Sequence, residues 1–299
     1  MKFAAIDIGS NAARLQISSV LYHYNQEISF KKVEYVRFPL RLGLDVFTSK
    51  AITPLREANL LKLLHSYKLL MELHDVDDYL MLATSAMREA NNGEAIAQKV
   101  KEKFGLELQI ISGDQESVYV NKAFRRYMDE ESYLHIDVGG GSTELTVFTC
   151  KQEVVAKSFP IGSIRLLENT VSADTWQDMQ HWVETYVRGQ FPKITAVGIG
   201  GNINKIASLL KSKTKPMAAK DIDSLRRKLE SFSLEERINE LGLNPDRADV
   251  IIPASTIYLS VMKWAKIGKI VAPGLGLKDG IMEALVEKHQ YRLNREMSI

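Results

Sequence analysis

With 299 residues, 45% of them apolar, the chain is long enough for about two domains with real cores, and a net charge of +2 is too small to imply a nucleic-acid or membrane partner. Its one cysteine, Cys150, excludes an intrachain disulfide and a Cys-x-x-Cys zinc site, and points to a reducing, cytoplasmic setting. No stretch approaches the ~18 apolar residues of a membrane span, and Asp7 interrupts any signal-like start, so neither a targeting segment nor an anchor is expected.

In chain order, Lys2 to Ile6 is a short apolar run of strand length, Asp7-Ile8-Gly9-Ser10-Asn11 is a tight turn, and Leu15 to Ser18 resumes strand character. Val33 to Phe38 alternates at period two, after which Thr53-Pro54 opens a helix with a capping threonine and a proline at its first position. Leu60, Leu61, Leu64, Leu69, Leu70 and Leu73 continue it. The strand Tyr79 to Ala83 ends at Thr84-Ser85-Ala86-Met87-Arg88, and another helix is expected to follow to about Lys103. Leu108 to Ile111 is the next strand, and Ser112-Gly113-Asp114-Gln115 reads as a capping box starting another helix. A polar connector follows, with Arg125, Arg126, Asp129, Glu130 and Glu131, and we place the domain boundary there, giving domains 1–126 and 127–299.

The second half repeats the opening. Tyr133 to Ile136 is a strand, Asp137-Val138-Gly139-Gly140-Gly141-Ser142 a glycine-rich turn, and Leu145 to Phe148 a second strand. Glycines permit close backbone approach, so successive amides can form a nest for an anionic oxygen, with Ser10, Ser142 and Thr143 adding hydroxyls. An aspartate just before such a nest invites a hydrated divalent cation, so Asp7 and Asp137 are candidate Mg²⁺ ligands. A glycine hairpin with a turn-stabilising Asp explains either copy alone. Two copies, about 130 residues apart, favour two related half-domains presenting phosphate grips to one cleft. Later, Ile194 to Val197 is a strand running into Gly198-Ile199-Gly200-Gly201-Asn202, and Val271 to Gly280 opens a last helix, about 277–292.

Taken together, Asp7 to Asn11 with Arg14, Ala83 to Arg88, Ser112 to Glu116, Asp137 to Leu145, Gly198 to Asn202 and Pro245 to Asp249 resemble the exopolyphosphatase / guanosine pentaphosphate phosphohydrolase family. The resemblance implies an α/β chain of two ribonuclease-H-like (actin-like ATPase) domains around an interdomain cleft, with the last helix packing back on the first domain. It also implies a divalent metal and hydrolytic release of a terminal phosphate from inorganic polyphosphate or from the 5′ end of pppGpp.

Phosphoanhydride hydrolysis needs an oriented water and charge neutralisation on the transferring phosphoryl group. By resemblance Glu116 is the catalytic glutamate; Gln115 and Ser117 depart from the family's Ser-Gly-x-Glu-Glu-Ala motif, which puts the tuning of the site more in question than the reaction. Glu144 closes the turn that Asp137 opens, so both carboxylates can serve one metal. Arg14 and Arg88 are candidates for gripping phosphate oxygens with a planar guanidinium fork. Ser10, Asn11, Ser85, Gly139, Gly140, Gly141, Ser142 and Thr143 complete the cradle. Gly200 and Gly201 occupy the position that binds adenosine in nucleotide-using relatives, although Ile199 and Asn202 stand where the family usually has threonine.

Lys205, Lys211, Lys213, Lys215, Lys220, Arg226, Arg227 and Lys228 form a basic cluster that could be a polyanion track or merely a solvated surface. Arg247 and Asp249 read as a structural pair. Longer members continue into a helical region beyond this chain's end, which leaves processivity and the expected homodimer open. The partner expected is inorganic polyphosphate or a guanosine polyphosphate, with no nucleic acid and no membrane. A kinase or ATPase of the actin, Hsp70 and sugar-kinase superfamily, to which the resembled family belongs, and a non-catalytic guanosine-polyphosphate sensor are the alternatives.

Overall fold

The computed structural model describes residues 1–24, 27–125, 128–212 and 215–296. Arg126 of the expected connector and Lys213 of the basic cluster lie outside the described residues. The chain forms two compact units: Met1–Phe124 with the C-terminal segment from Gly276, and Arg125–Leu275.

The first unit runs β1 (Lys2–Ile8), β2 (Ala13–Tyr22), β3 (Ile28–Phe38), α1 (Leu42–Ser49), α2 (Pro54–Leu73), β4 (Asp78–Ala83), α3 (Ser85–Glu89), α4 (Gly93–Phe104), β5 (Leu108–Ile110) and α5 (Gly113–Phe124). The strands form one sheet of order β3-β2-β1-β4-β5. β1, β2 and β3 pair antiparallel, while β1, β4 and β5 pair parallel. β1 is buried along nearly its whole length because it is central, whereas β3 is a largely exposed edge. Helix α2 starts as its residues dictate, with Pro54 at the first position and the Thr53 hydroxyl accepting from the Arg56 amide.

The helix expected to follow Arg88 to about Lys103 is α4, and the stretch before it forms a short helix of its own, α3, with a break between the two. The break is built by Asn92, whose side chain bonds both the amide and the carbonyl of Ile52, at 2.9 Å each. Gly93 follows it so tightly that a Cβ there would overlap the Met87 carbonyl oxygen. The break leaves Arg88 in the last turn of a short helix that stops just past β4.

The second unit runs β6 (Ser132–Val138), β7 (Thr143–Thr149), β8 (Gln152–Phe159), α6 (Ser163–Leu167), α7 (Ala173–Tyr186), β9 (Ile194–Ile199), α8 (Gly201–Leu209), β10 (Met217–Ala218), α9 (Ala219–Glu230), α10 (Leu234–Asn239), α11 (Pro245–Ala248), α12 (Ile251–Ala265) and β11 (Lys269–Val271). Its sheet has the order β10-β11-β9-β6-β7-β8. The run β8-β7-β6-β9-β11 repeats the order of the first sheet, with β10 as an added edge. This is the ribonuclease-H-like arrangement in both units. Trp182, Met179, Ile203, Ile257 and Tyr258 lie in the core of the second unit, and Trp176 meets Trp264 edge-on. The final helix, α13 (Leu277–Glu296), belongs to the first unit, where it packs on α5 and β1.

Candidate functional site

In the first unit the β1–β2 hairpin makes the Asp7 turn, closed by the Gly9 amide on the Ala12 carbonyl at 3.1 Å. Two turn carbonyls are taken from behind, Ser10 by the Gly43 amide and Asn11 by the Arg41 amide, both at 2.9 Å. Hairpin register sets Asp7 opposite Arg14, and a guanidinium nitrogen lies 2.6 Å from the carboxylate. Parallel pairing sets Ile8 opposite Ala83, so the two chain ends emerge side by side and the buried Ser10 and Ser85 hydroxyls meet at 2.8 Å. Arg88 donates to the Ile111 carbonyl just past β5 at 2.6 Å.

Glu116 sits in the first turn of α5, where a carboxylate is favoured by the helix dipole. That turn is held by the predicted capping box. The Gln115 amide bonds the Ser112 hydroxyl at 3.1 Å, and the Gln115 side chain accepts the Ser112 amide at 2.9 Å. The departure of Gln115 from the family motif therefore keeps a capping side chain.

Two further arginines escaped the reading of the sequence. Arg37 is the β3 register partner of Arg14, and Arg41 bonds the turn through its backbone. The signal for Arg37 was available only as cross-strand register. On α2, the fully buried Tyr67 phenol is pushed above its ordinary pKa by burial and by the charge of Asp7.

In the second unit the β6–β7 hairpin repeats the turn, with the Gly139 amide on the Ser142 carbonyl at 2.9 Å. Register now sets Asp137 opposite Glu144, so two carboxylates stand where the first unit has a carboxylate and a guanidinium. Glu144 is buried and accepts the Ser158 hydroxyl at 2.8 Å from the next strand. Among the described residues no group of three or more His, Cys, Asp or Glu could hold a metal. Two in-register carboxylates instead fit Mg²⁺, which binds through one or two carboxylates and keeps waters and substrate phosphate in its other positions. Asp7 fits that role less well, because a cation there would have to displace the Arg14 guanidinium.

Thr143 corrects the expected cradle. It is fully buried and its hydroxyl donates to the Ile161 carbonyl at 2.6 Å, which spends its proton on the wall of the turn. The third glycine turn does join the second. β9 pairs with β6 so that Ile199 stands opposite Asp137, and a Cβ on Gly200, whose φ is +103°, would lie 3.4 Å from an Asp137 oxygen. The buried Tyr258 hydroxyl, on α12, donates to the Ile199 carbonyl, and burial beside the Asp137 charge holds that phenol well above its usual pKa.

Arg247, read as structural from sequence, donates to the Gly201 carbonyl at the start of α8. Within the basic cluster, Arg226 is paired with Asp223 and Glu230, and Arg227 with Asp223, so these three-residue and four-residue helix neighbours balance part of its charge. Under Asp137 on the same strand face, His135 is buried, and burial holds its pKa down at about 3, so its ring is neutral near pH 7. Among the described residues no helix is long and apolar enough to cross a membrane.

The profile of the Ppx/GppA phosphatase family matches residues 23–289. The chain is 28% identical to the bifunctional 3-dehydroquinate synthase/phosphatase of Fusobacterium nucleatum, over 95% of this chain and 47% of that protein. It is 27% identical to exopolyphosphatase 2 of Mycobacterium tuberculosis, over 95% of this chain and 98% of that one. The chain thus spans about half of the bifunctional relative, at 47%, and nearly all of exopolyphosphatase 2, at 98%. In three dimensions it is similar to the Aquifex aeolicus member of the Ppx/GppA family, with a TM-score of 0.76, 25% identity and coverage of 97% and 98% of the two chains. A match across most of the chain, the repeated strand order and the paired Asp turns agree with one another, and the chain belongs to the Ppx/GppA phosphatase family.

Proposed function

We propose that the protein is a Mg²⁺-dependent phosphoanhydride hydrolase that releases orthophosphate from the end of inorganic polyphosphate. The observation that carries this reading is the Asp137–Glu144 pair, set in register across a glycine turn whose amides can receive a phosphate. The exopolyphosphatase named among the relatives supports polyphosphate as the substrate. The 5′ phosphate of pppGpp is a second substrate reading, supported by the Gly200–Gly201 turn with the Arg247 guanidinium on it. The absence of long apolar helices among the described residues and the exposed thiol of Cys150 are compatible with a reducing cytoplasmic setting.

When bound by Asp137 and Glu144, Mg²⁺ supplies charge neutralisation on the phosphoryl group. The amides of the second turn and the Ser142 hydroxyl hold the terminal phosphate oxygens. Arg14 and Arg88 present guanidinium donors to non-bridging oxygens, while Ser10, Asn11 and Ser85 shape the first turn. Glu116 takes a proton from the attacking water as the new P–O bond forms. The bond to the next phosphate then breaks, and its oxygen leaves with the electron pair.

The test is phosphate release from polyphosphate and from pppGpp, side by side, with and without Mg²⁺. Glu116→Gln is expected to lower kcat by about 10²- to 10⁴-fold while the variant stays folded. Wild-type turnover in that variant rejects the role of Glu116. Phosphate transfer from ATP to an acceptor, with no release from polyphosphate, would instead indicate a kinase, and binding without turnover a sensor.

A further inference from the structure

The glycine turn of the second unit is held from behind by one short segment, Gly162 to Arg165, that leaves β8 and forms the start of α6. Its contacts account for successive turn carbonyls. The Ser163 amide and hydroxyl both donate to Gly139, at 3.0 and 3.2 Å. The amides of Ile164 and Arg165 donate to Gly140, at 2.9 and 3.3 Å. The Arg165 side chain completes the set, with Nε 2.6 Å from the Gly141 carbonyl. Gly162 lets the segment approach this closely, because a Cβ there would overlap the backbone of Gly140 and Gly141.

A peptide plane has its carbonyl and its amide on opposite edges. Tying the carbonyls to α6 therefore turns the following amides the other way. The Gly139 amide closes the turn, and the amides of Gly140, Gly141 and Ser142 make no hydrogen bond within the described residues. A nest of such amides is an anion receptor only while its peptide planes are held in that orientation. Of the groups holding them, Arg165 is the one charged side chain. It is 6% exposed, so its positive charge stays directly behind the receptor.

We propose that Arg165 is a positioning residue for the phosphate nest: by fixing the Gly141 carbonyl it keeps the loop amides aimed at a terminal phosphate and sets the affinity for it. The proposal rests on the functional reading above. It concerns binding rather than bond cleavage, since a nest that grips the ground state and the transition state alike changes KM more than kcat. In the first unit the corresponding carbonyls are held by the backbone amides of Arg41 and Gly43.

The experiment uses the full chain and the variants Arg165→Lys and Arg165→Met. Binding of inorganic tripolyphosphate is measured calorimetrically in EDTA, and KM and kcat for polyphosphate are measured with Mg²⁺, alongside thermal unfolding. Lysine keeps the charge but lacks the Nε donor, so Arg165→Lys should remain folded and weaken both Kd and KM by about tenfold, with kcat changed less than threefold. That size is the loss of one charge-assisted hydrogen bond of about 1.4 kcal/mol. Arg165→Met should weaken both further; if it fails to fold, Arg165→Lys decides alone.

Unchanged Kd and KM in folded Arg165→Lys overturn the proposal, as does a fall confined to Tm or kcat. If the wild type binds tripolyphosphate without releasing phosphate, the hydrolase reading fails while the loop proposal is still judged on Kd. If the wild type does not bind it in EDTA yet releases phosphate with Mg²⁺, the loop proposal is overturned and the hydrolase reading stands.

Discussion

A carboxylate facing a guanidinium is charge-balanced, whereas a carboxylate facing another carboxylate calls for a cation, and this chain contains one of each at equivalent places in its two units. Asp7 meets Arg14 and Asp137 meets Glu144, both by hairpin register. Asp137→Asn should therefore raise the Mg²⁺ concentration for half-maximal phosphate release by about 10- to 100-fold. Asp7→Asn should leave that concentration near the wild-type value. A magnesium titration of both variants checks the pair, and EDTA should abolish turnover in the wild type. His135 makes a prediction of the same sign as that of a paired carboxylate, but in a window that begins at a higher pH. Burial lowers its folded pKa to about 3 from an ordinary 6.5, so the unfolded chain takes up the proton first. Stability is complete above about pH 6.5 and falls by about 1.4 kcal/mol per pH unit as pH drops toward 3. Urea unfolding between pH 4.5 and 7 should show this slope, and His135→Leu should flatten it.

At the scale of elements, chemistry-bearing residues cluster where parallel strands end. β1 and β4 deliver Ser10 beside Ser85, while β6 and β9 deliver Asp137 beside Gly200. Neighbouring parallel strands diverge into different loops at their carboxyl ends, which is why α/β sheets gather ligand-binding groups there. The start of α5 is set by a different device, the reciprocal bonds of Ser112 and Gln115. Ser112→Ala should cost about 1 kcal/mol of stability and lower kcat by loosening the turn that carries Glu116; calorimetry and phosphate release measure the two effects. The capping box was legible because it is a four-residue pattern. The break between α3 and α4 was not, because it depends on Asn92 reaching Ile52, forty residues away.

At the scale of the molecule, the chain builds one unit, then another of the same central strand order, and returns in α13 to the first. The return is close-packed: a Cβ on Gly280 would overlap the Tyr119 carbonyl oxygen on α5. Gly280→Ala should thus destabilise the first unit by about 1–3 kcal/mol and, by displacing the helix of Glu116, lower kcat; urea unfolding and phosphate release test both. What the sequence by itself determined is local: apolar runs of strand length, two Asp-Gly turns, the cap of α5, and the ordered motifs that identify the family. These survive because turn geometry, capping and alternation are settled within a few residues. Only the tertiary structure decided that Arg165 grips Gly141, that Tyr258 holds Ile199, that Arg247 reaches Gly201, and that Thr143 spends its hydroxyl on Ile161. Those bonds join strands and helices far apart in the chain. Their partners are chosen by which buried carbonyl needs a donor once the sheet has formed, and no local pattern of residues records that choice.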